Sequence, residues 1–236
     1  MNKKILTIAA SLMFALASSV ANAGSFNIGV TGALAKISAD GSETTNAGDS
    51  GTANTNSASV NNENVPIGSV FVEYQSDYWG LTLGAEHIPG SADVSDTIKR
   101  RNDVETSVQG DDTHNADARL FQANAEVENY NLIYIEAPIY ENFFVGVGAS
   151  EIDVNTTEVA SSDGGSYGNT TLDGTMYRIG LKGGIGDNAG YKLFYEVNDF
   201  DTLNLTSTGN SVADETNTIT ADLDVDMLKF AVSYNF

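Results

Sequence analysis

The chain has 236 residues and no cysteine, and its 11 Lys and Arg stand against 32 Asp and Glu, which gives a net charge of −21. This acidity argues against a nucleic-acid partner, because phosphate backbones are bound through basic surfaces. The lack of cysteine excludes disulfides, zinc-thiolate centres and thiol catalysis.

Residues 1–23 are predicted to be a cleaved signal peptide. Lys3 and Lys4 form a charged start, an apolar run extends to about Val20, and Ala21–Ala23 has the small-x-small pattern of a cleavage site. The apolar run is too short and too rich in Ala and Ser for a membrane-spanning helix. Because Lys3 and Lys4 are the only charged residues of the leader, its removal would change the net charge from −21 to −23.

The remaining chain alternates apolar and polar residues with a period of two, which predicts β-strands with one apolar face. No later stretch approaches the ~18 apolar residues of a transmembrane helix. Each segment has roughly the nine to eleven residues that a tilted strand needs to cross a bilayer. We count eight of them: about 25–38, 67–76, 81–88, one ending near 137, 143–152, 175–185, 191–200 and one ending at 236.

Short turns and long polar connections alternate between these segments. Bacterial transmembrane barrels have this asymmetry, with short periplasmic turns and long outer loops. An even number of strands places both termini in the periplasm. The mature chain, 24–236, is therefore predicted to carry four long extracellular loops at about 39–65, 89–118, 153–173 and 201–220.

The fourth segment does not reveal its outer face. Apolar residues occupy both of its parities, with Val127, Ile133 and Ile135 on one and Tyr130, Leu132 and Tyr134 on the other. Its start is equally undefined, so only its end near Ala137 is predicted.

The last segment ends the chain with a regular alternation. Leu228, Phe230, Val232, Tyr234 and Phe236 share one parity. This pattern resembles the C-terminal signature of Gram-negative outer-membrane proteins. The resemblance implies that Phe230, Val232, Tyr234 and Phe236 are an assembly signal read by the barrel-assembly machinery.

The mature chain as a whole resembles the OmpA-like and OmpX-like outer-membrane proteins. The resemblance rests on architecture and on the terminal strand, and it implies an eight-stranded antiparallel up-and-down β-barrel that is monomeric in the outer membrane. A soluble all-β sandwich would also have alternating strands. It would need neither the terminal Phe nor the strict succession of short and long connections.

Charged residues lie on the parity opposite the apolar faces, and therefore point into the predicted lumen. Eight-stranded barrels have interiors just wide enough for side chains, and buried charges must be paired. We predict a lumenal network of Glu73, Glu86, Arg178, Lys182, Lys192, Glu196 and Lys229. Such a network is either a structural plug or a narrow ion path gated by exchange of partners.

Asp222, Asp224 and Asp226 share the outward parity of the last strand, above its apolar residues. Hard divalent cations take oxygen ligands, so this ladder is a weak candidate metal site that could bridge to lipopolysaccharide. The alternative is a solvated acidic extension of the strand. No cofactor is expected.

The sequence offers little for catalysis. Of its two histidines, His87 falls near the outer end of the third segment and His114 lies in an Asp-rich loop, without a hydroxyl nucleophile beside either on the same face. We therefore expect a non-enzymatic barrel with a structural or surface-interaction role. A small pore is the alternative, and an enzyme of outer-leaflet lipid is a distant third.

Overall fold

The computed structural model describes residues 24–45, 54–77, 79–95, 99–103, 119–159, 166–208 and 217–236. The predicted signal peptide and His114 lie outside these ranges. The described residues are almost entirely β-strand: β1 Gly24–Thr45, β2 Asn54–Ser76, β3 Thr82–Asp93, β4 Lys99–Asp103, β5 Arg119–Tyr140, β6 Phe143–Val159, β7 Thr170–Ile185, β8 Ala189–Phe200, β9 Leu203–Thr206 and β10 Asn217–Asn235. No helix among them is long and apolar enough to cross a membrane.

Eight of the strands form a closed antiparallel ring in the order β1-β2-β3-β5-β6-β7-β8-β10, and β10 returns to β1. The closing ladder runs from Asn27 opposite Asn235 to Thr45 opposite Asn217. The two short strands prolong the wall: β4 pairs with β5, and β9 pairs with β10. The all-β, up-and-down barrel expected from the sequence is therefore confirmed.

The strands extend further than the alternation of apolar residues predicted. The predicted loop 39–65 is mostly a hairpin, because β1 continues to Thr45 and pairs with β2 from Asn54 onwards. The other three predicted loops also lose residues to strands, and β6 reaches Val159. The extensions consist largely of Ser, Thr and Asn, which resemble loop sequence although their backbones continue the ladder.

The outer surface of the ring carries an apolar belt. Residues of one parity expose large apolar side chains on neighbouring strands, among them Val30, Leu34, Val70, Val147, Ile179, Leu193, Leu228 and Phe230. A belt of this kind is the lipid-facing surface of a transmembrane β-barrel. We call the end with the short turns the lower end and the end with the long hairpins the upper end.

The structure also shows which face of β5 points outward. Tyr130, Leu132 and Tyr134 are buried in the lumen, whereas Ile135 is exposed on the belt. A register shift between Glu128 and Asn131 reverses the parity above it, so that Val127 also points inward. Both parities of the segment are apolar because one faces the lumen and the other the belt, and the bulge explains why Val127 joins the inward side.

Candidate functional site in the barrel lumen

The middle of the lumen is filled by charged side chains from six strands. Alternate residues of a strand point inward, and β8 contributes two such residues, four positions apart. The carboxylates come from β2, β3, β5 and β8, and the cations from β7, β8 and β10: Glu73, Glu86, Glu136, Glu196, Arg178, Lys192 and Lys229. We call these seven residues the lumenal network.

Arg178 is the centre of the lumenal network. Its Nη1 lies 3.1 Å from Oε1 of Glu136, and its Nη2 lies 3.3 Å from Oε2 of Glu86. Nη2 is also 2.7 Å from Oε2 of Glu196, close as an ion pair although not aligned as a hydrogen bond. The guanidinium carbon stands 3.9 Å from the ring centroid of Tyr134, a cation–π distance. One cation therefore joins three strands across the lumen.

The two lysines connect the same carboxylates from the opposite side. Lys229 Nζ lies 3.0 Å from Oε1 of Glu86 and 2.8 Å from Oε1 of Glu196. Lys192 Nζ pairs with Glu73 and lies 2.6 Å from Oε2 of Glu136. Each of Glu86, Glu136 and Glu196 is thus shared by two cations, which makes the network continuous.

Neutral donors add hydrogen bonds to three of the carboxylates. Tyr134 donates its hydroxyl to Oε1 of Glu73 over 2.7 Å, and Ser69 donates to Oε1 of Glu86 over 2.6 Å. Tyr130 donates to Oδ1 of Asn198 over 2.5 Å, next to Glu196. Buried charges are tolerated when they are paired. Each charged group of the network has an ion-pair partner, whereas Nε of Arg178 and Oε2 of Glu196 make no hydrogen bond to a described residue.

Lys182 differs from the other predicted members of the network. Its Nζ lies 3.4 Å from Oγ1 of Thr82, and it makes no ion pair with any residue that the structure describes. The four carboxylates exceed the three paired cations by one charge, and Lys182, at the lower end of the lumen, supplies the balancing cation at longer range. The structure therefore brings six of the seven predicted residues into direct contact.

Glu136 is a member that sequence reasoning missed. It is fully buried and contacts both Arg178 and Lys192. The signal was present, because Glu136 shares its parity with Tyr130, Leu132 and Tyr134, and a lipid-facing charge within the membrane is costly. A carboxylate on one parity of an otherwise apolar strand marks that parity as the lumenal one.

Apolar side chains fill the rest of the lumen. Phe71, Phe144, Phe194 and Ala231 form a small buried cluster at the height of the charges, where Phe71 lies opposite Glu86 and Phe194 opposite Lys229. A larger cluster begins beside the charges and continues into the upper hairpins; it includes Ile37, Leu132, Ile152, Met176, Phe200, Leu223, Val225 and Met227. The arrangement is a packed interior, as expected for eight strands.

The outward aspartates of β10 do not converge. Alternate residues of a strand are roughly 6.6 Å apart, so Asp222, Asp224 and Asp226 form a ladder rather than a cage. Among the described residues no group of three or more side chains is placed to hold a metal ion. Partial burial, followed by the charges of neighbouring aspartates, raises the pKa of Asp224 above its usual 3.8. The three aspartates of one strand do not by themselves surround a cation, and a metal site at this position stays a prediction.

His87 lies on the outer face of β3, where its Nδ1 is 2.9 Å from Oδ1 of Asn131 on β5. Asn131 can orient the imidazole ring, and it is not a nucleophile. The terminal residues Phe230, Tyr234 and Phe236 are exposed on the belt, and the backbone N–H of Phe236 donates to the carbonyl of Phe26 over 2.9 Å. Recognition of this end by the assembly machinery stays a prediction.

No protein-family model matches the chain, and no curated protein matches it. Among solved structures, the chain is similar to Ail of Yersinia pestis, the attachment invasion locus protein, with 11% identity, a TM-score of 0.41, and 90% of this chain and 99% of that chain covered. OprG from Pseudomonas aeruginosa has 10% identity, a TM-score of 0.49, and 91% and 96% coverage. The protease OmpT from Escherichia coli has 10% identity, a TM-score of 0.45, and 90% and 97% coverage. These neighbours are outer-membrane β-barrel proteins, and the closed ring and apolar belt of this chain have the form of such a barrel.

Proposed function

We propose that the chain is a non-conducting outer-membrane barrel, a scaffold that presents its upper hairpins at the cell surface. The observation that carries this proposal is the burial of the lumenal network. The side chains of Arg178, Glu86, Glu196 and Lys229 are each at most 1% exposed, although they lie in the middle of the barrel. A water-filled path for ions would leave such groups accessible.

The apolar cluster above the charges supports the same proposal. An ion that entered from the upper end would have to pass buried residues such as Val127, Phe200 and Val225 before it reached the first carboxylate. Apolar constrictions oppose ion passage because they exclude water. Two successive barriers, one apolar and one of paired charges, therefore separate the two ends.

The upper hairpins provide the surface for an interaction role. From Leu34, at the top of the apolar belt, β1 continues to Thr45, a rise of roughly 35 Å at ~3.3 Å per residue. Near the end of this extension, Glu43 accepts a hydrogen bond at Oε1 from the hydroxyl of Tyr167 over 2.8 Å. The contact connects the hairpin of β1 and β2 to the segment before β7. Function is commonly carried by such projecting segments on a rigid scaffold. We infer that this scaffold, with its projecting hairpins, is the functional unit.

Planar-bilayer recording of the purified, refolded protein tests the proposal. Wild type is expected to give no conductance steps. The double variant Arg178→Ala with Lys229→Ala, which removes two central cations of the lumenal network, is expected to give small steps when it is folded. Folding is checked by the mobility difference between heated and unheated samples on a gel. Regular steps in wild type would overturn the proposal and favour a small pore.

A further inference from the structure

The barrel wall is incomplete between β2 and β3. These strands pair over only six residues, and their ladder ends where Val70 lies opposite His87. Both strands continue upward from this point, because β2 stays paired with β1 as far as Asn54 and β3 with β5 as far as Asp93. The described residues of the two strands therefore leave a seam that is open above His87.

The residues on either side of the seam explain why it stays open. Pro66 on β2 and Pro89 on β3 have no backbone N–H and cannot donate across it. Gly90 follows with a φ of 94°, which turns β3 away at the register shift between Ile88 and Ser91.

The seam is closed again at its top. Nδ2 of Asn62 on β2 donates to the carbonyl of Asp93 on β3 over 2.8 Å. The opening is thus bounded below by the pair of Val70 and His87 and above by this hydrogen bond. We call it the β2–β3 window.

A cavity of about 120 Å³ lies behind the β2–β3 window. Its wall is mainly apolar and includes Ile37, Ile67, Ile88, Val127, Val225 and Met227. Apolar cavities of about 150 Å³ stay dry and accept small apolar guests. Tyr130 lines the cavity, and its hydroxyl donates a hydrogen bond to Asn198 beside the lumenal network. The cavity therefore extends inward to Tyr130 and has room for a group the size of a few methylenes.

The β2–β3 window opens at the upper edge of the apolar belt. Pro66 lies opposite Leu34, and Leu34 lies opposite Leu228; both leucines are 52% exposed. The next outward positions above them are Lys36 and Asp226, which are charged. This is the height at which the acyl chains of a bilayer meet their polar ester groups.

We propose that the β2–β3 window admits part of one acyl chain of an outer-leaflet lipid into this cavity. The lipid is the occupant because the mouth is continuous with the lipid-facing belt, and the inference rests on the proposed membrane-embedded, closed barrel. Unpaired backbone groups are costly next to hydrocarbon. At the mouth, ester oxygens and interfacial water satisfy those of β2 and β3 while methylenes fill the apolar interior.

Two glycines allow a matched test. Gly68 lies at the mouth, and a Cβ there would meet only the carbonyl oxygen of Thr31, at 3.9 Å. Gly32 is its cross-strand partner on β1, lies away from the mouth, and has nothing within 4 Å of such a Cβ. Gly68→Phe is therefore expected to obstruct the β2–β3 window, whereas Gly32→Phe adds the same side chain to the belt alone.

The experiment uses the full protein folded into phosphatidylcholine vesicles doped with a phospholipid that carries a diazirine within one acyl chain. After irradiation, adducts are mapped by mass spectrometry. Wild type and Gly32→Phe are expected to give adducts on cavity residues such as Ile88 and Val127. In Gly68→Phe these adducts fall about tenfold, the factor expected when roughly two methylenes are kept out of an apolar site.

Adducts confined to outward residues such as Leu34 and Val70, or cavity adducts that are equal in the two glycine variants, would overturn the inference. If Gly68→Phe does not fold, Ala92→Leu, which fills the cavity from within, replaces it with the same expected loss. Insertion and conductance are measured on the same vesicles. A folded barrel that shows no conductance and no cavity adducts contradicts only this inference. Conductance steps in wild type contradict the proposed function.

Discussion

Lys229 on β10 and Glu86 on β3 meet across the lumen, with Nζ of Lys229 3.0 Å from Oε1 of Glu86 although 143 positions separate them in the chain. The two strands are not neighbours in the ring. Contacts of this kind connect opposite walls, which backbone ladders cannot do. An intact buried ion pair adds little to the free energy of unfolding. Removing one partner lowers that free energy strongly, because the other charge stays buried without compensation.

Lys229→Met is expected to lower the free energy of unfolding by about 3–5 kcal/mol, because Glu86 and Glu196 each lose a cation while they stay buried. Urea titration of the protein in vesicles measures the change. Lys36→Met is the matched control, since Lys36 is exposed on the outer face of β1, and its effect should stay within about 0.5 kcal/mol. Equal losses in the two variants would contradict the network as a stabilising unit.

The pair should also be coupled in a double-mutant cycle. Glu86→Gln with Lys229→Met is expected to cost less than the sum of the single changes by about 0.5–3 kcal/mol, because the double variant leaves neither charge without its partner. Glu141→Gln, on the exposed turn before β6, replaces Glu86→Gln in the control cycle. Additivity in both cycles would show that the 3.0 Å contact carries no coupling energy.

The two lysines at the lower end of the lumen should respond differently. Lys192→Met removes a direct partner of Glu73 and Glu136 and is expected to cost about 3–5 kcal/mol. Lys182→Met removes only a hydrogen bond to Thr82 and a distant charge, with an expected cost of about 1 kcal/mol. The urea midpoints of the two variants measure the change in stability, provided that their m-values are the same. A larger loss for Lys182→Met would mean that its long-range charge outweighs direct pairing.

Features of the lumenal network that depend on local sequence were predictable, whereas those that depend on contacts between distant strands were not. Strand parity alone placed Arg178, Lys192 and Lys229 in the lumen, since alternation is local. Glu136 was missed because both parities of β5 are apolar, one facing the lumen and the other the belt, so that alternation does not show which face points inward. Which carboxylate each cation reaches depends on strands that are far apart in sequence.

The upper part of the barrel was less predictable for a different reason. Strands outside the membrane no longer need one apolar face, so the Ser- and Thr-rich continuation of β1 to Thr45 has the composition of a loop. Pro66 follows the predicted loop 39–65, and Pro89 begins the predicted loop 89–118. That they lie on either side of the same seam follows only from the pairing of β2 with β3.

The outward acids of β10 predict a pH dependence of stability with a definite sign. Asp224 lies opposite Asp199 on β8, and like charges directly opposite are destabilising. Partial burial and these neighbours raise the pKa of Asp224 in the folded state above its usual 3.8. The folded state therefore binds more protons than the unfolded state between the two pKa values, and stability falls as the pH rises through this interval.

Asp224→Asn removes this unfavourable charge above the folded-state pKa of Asp224. The variant is expected to have a higher urea midpoint than wild type at pH 7, and the difference should vanish as the pH falls below about 3.8, where Asp224 is protonated in both states. Asp187→Asn, on the exposed turn before β8, provides the comparison and should leave the midpoint unchanged at both pH values. A lower midpoint for Asp224→Asn at pH 7 would mean that its carboxylate makes a favourable contact that outweighs repulsion by Asp199, and the sign argued here would be wrong.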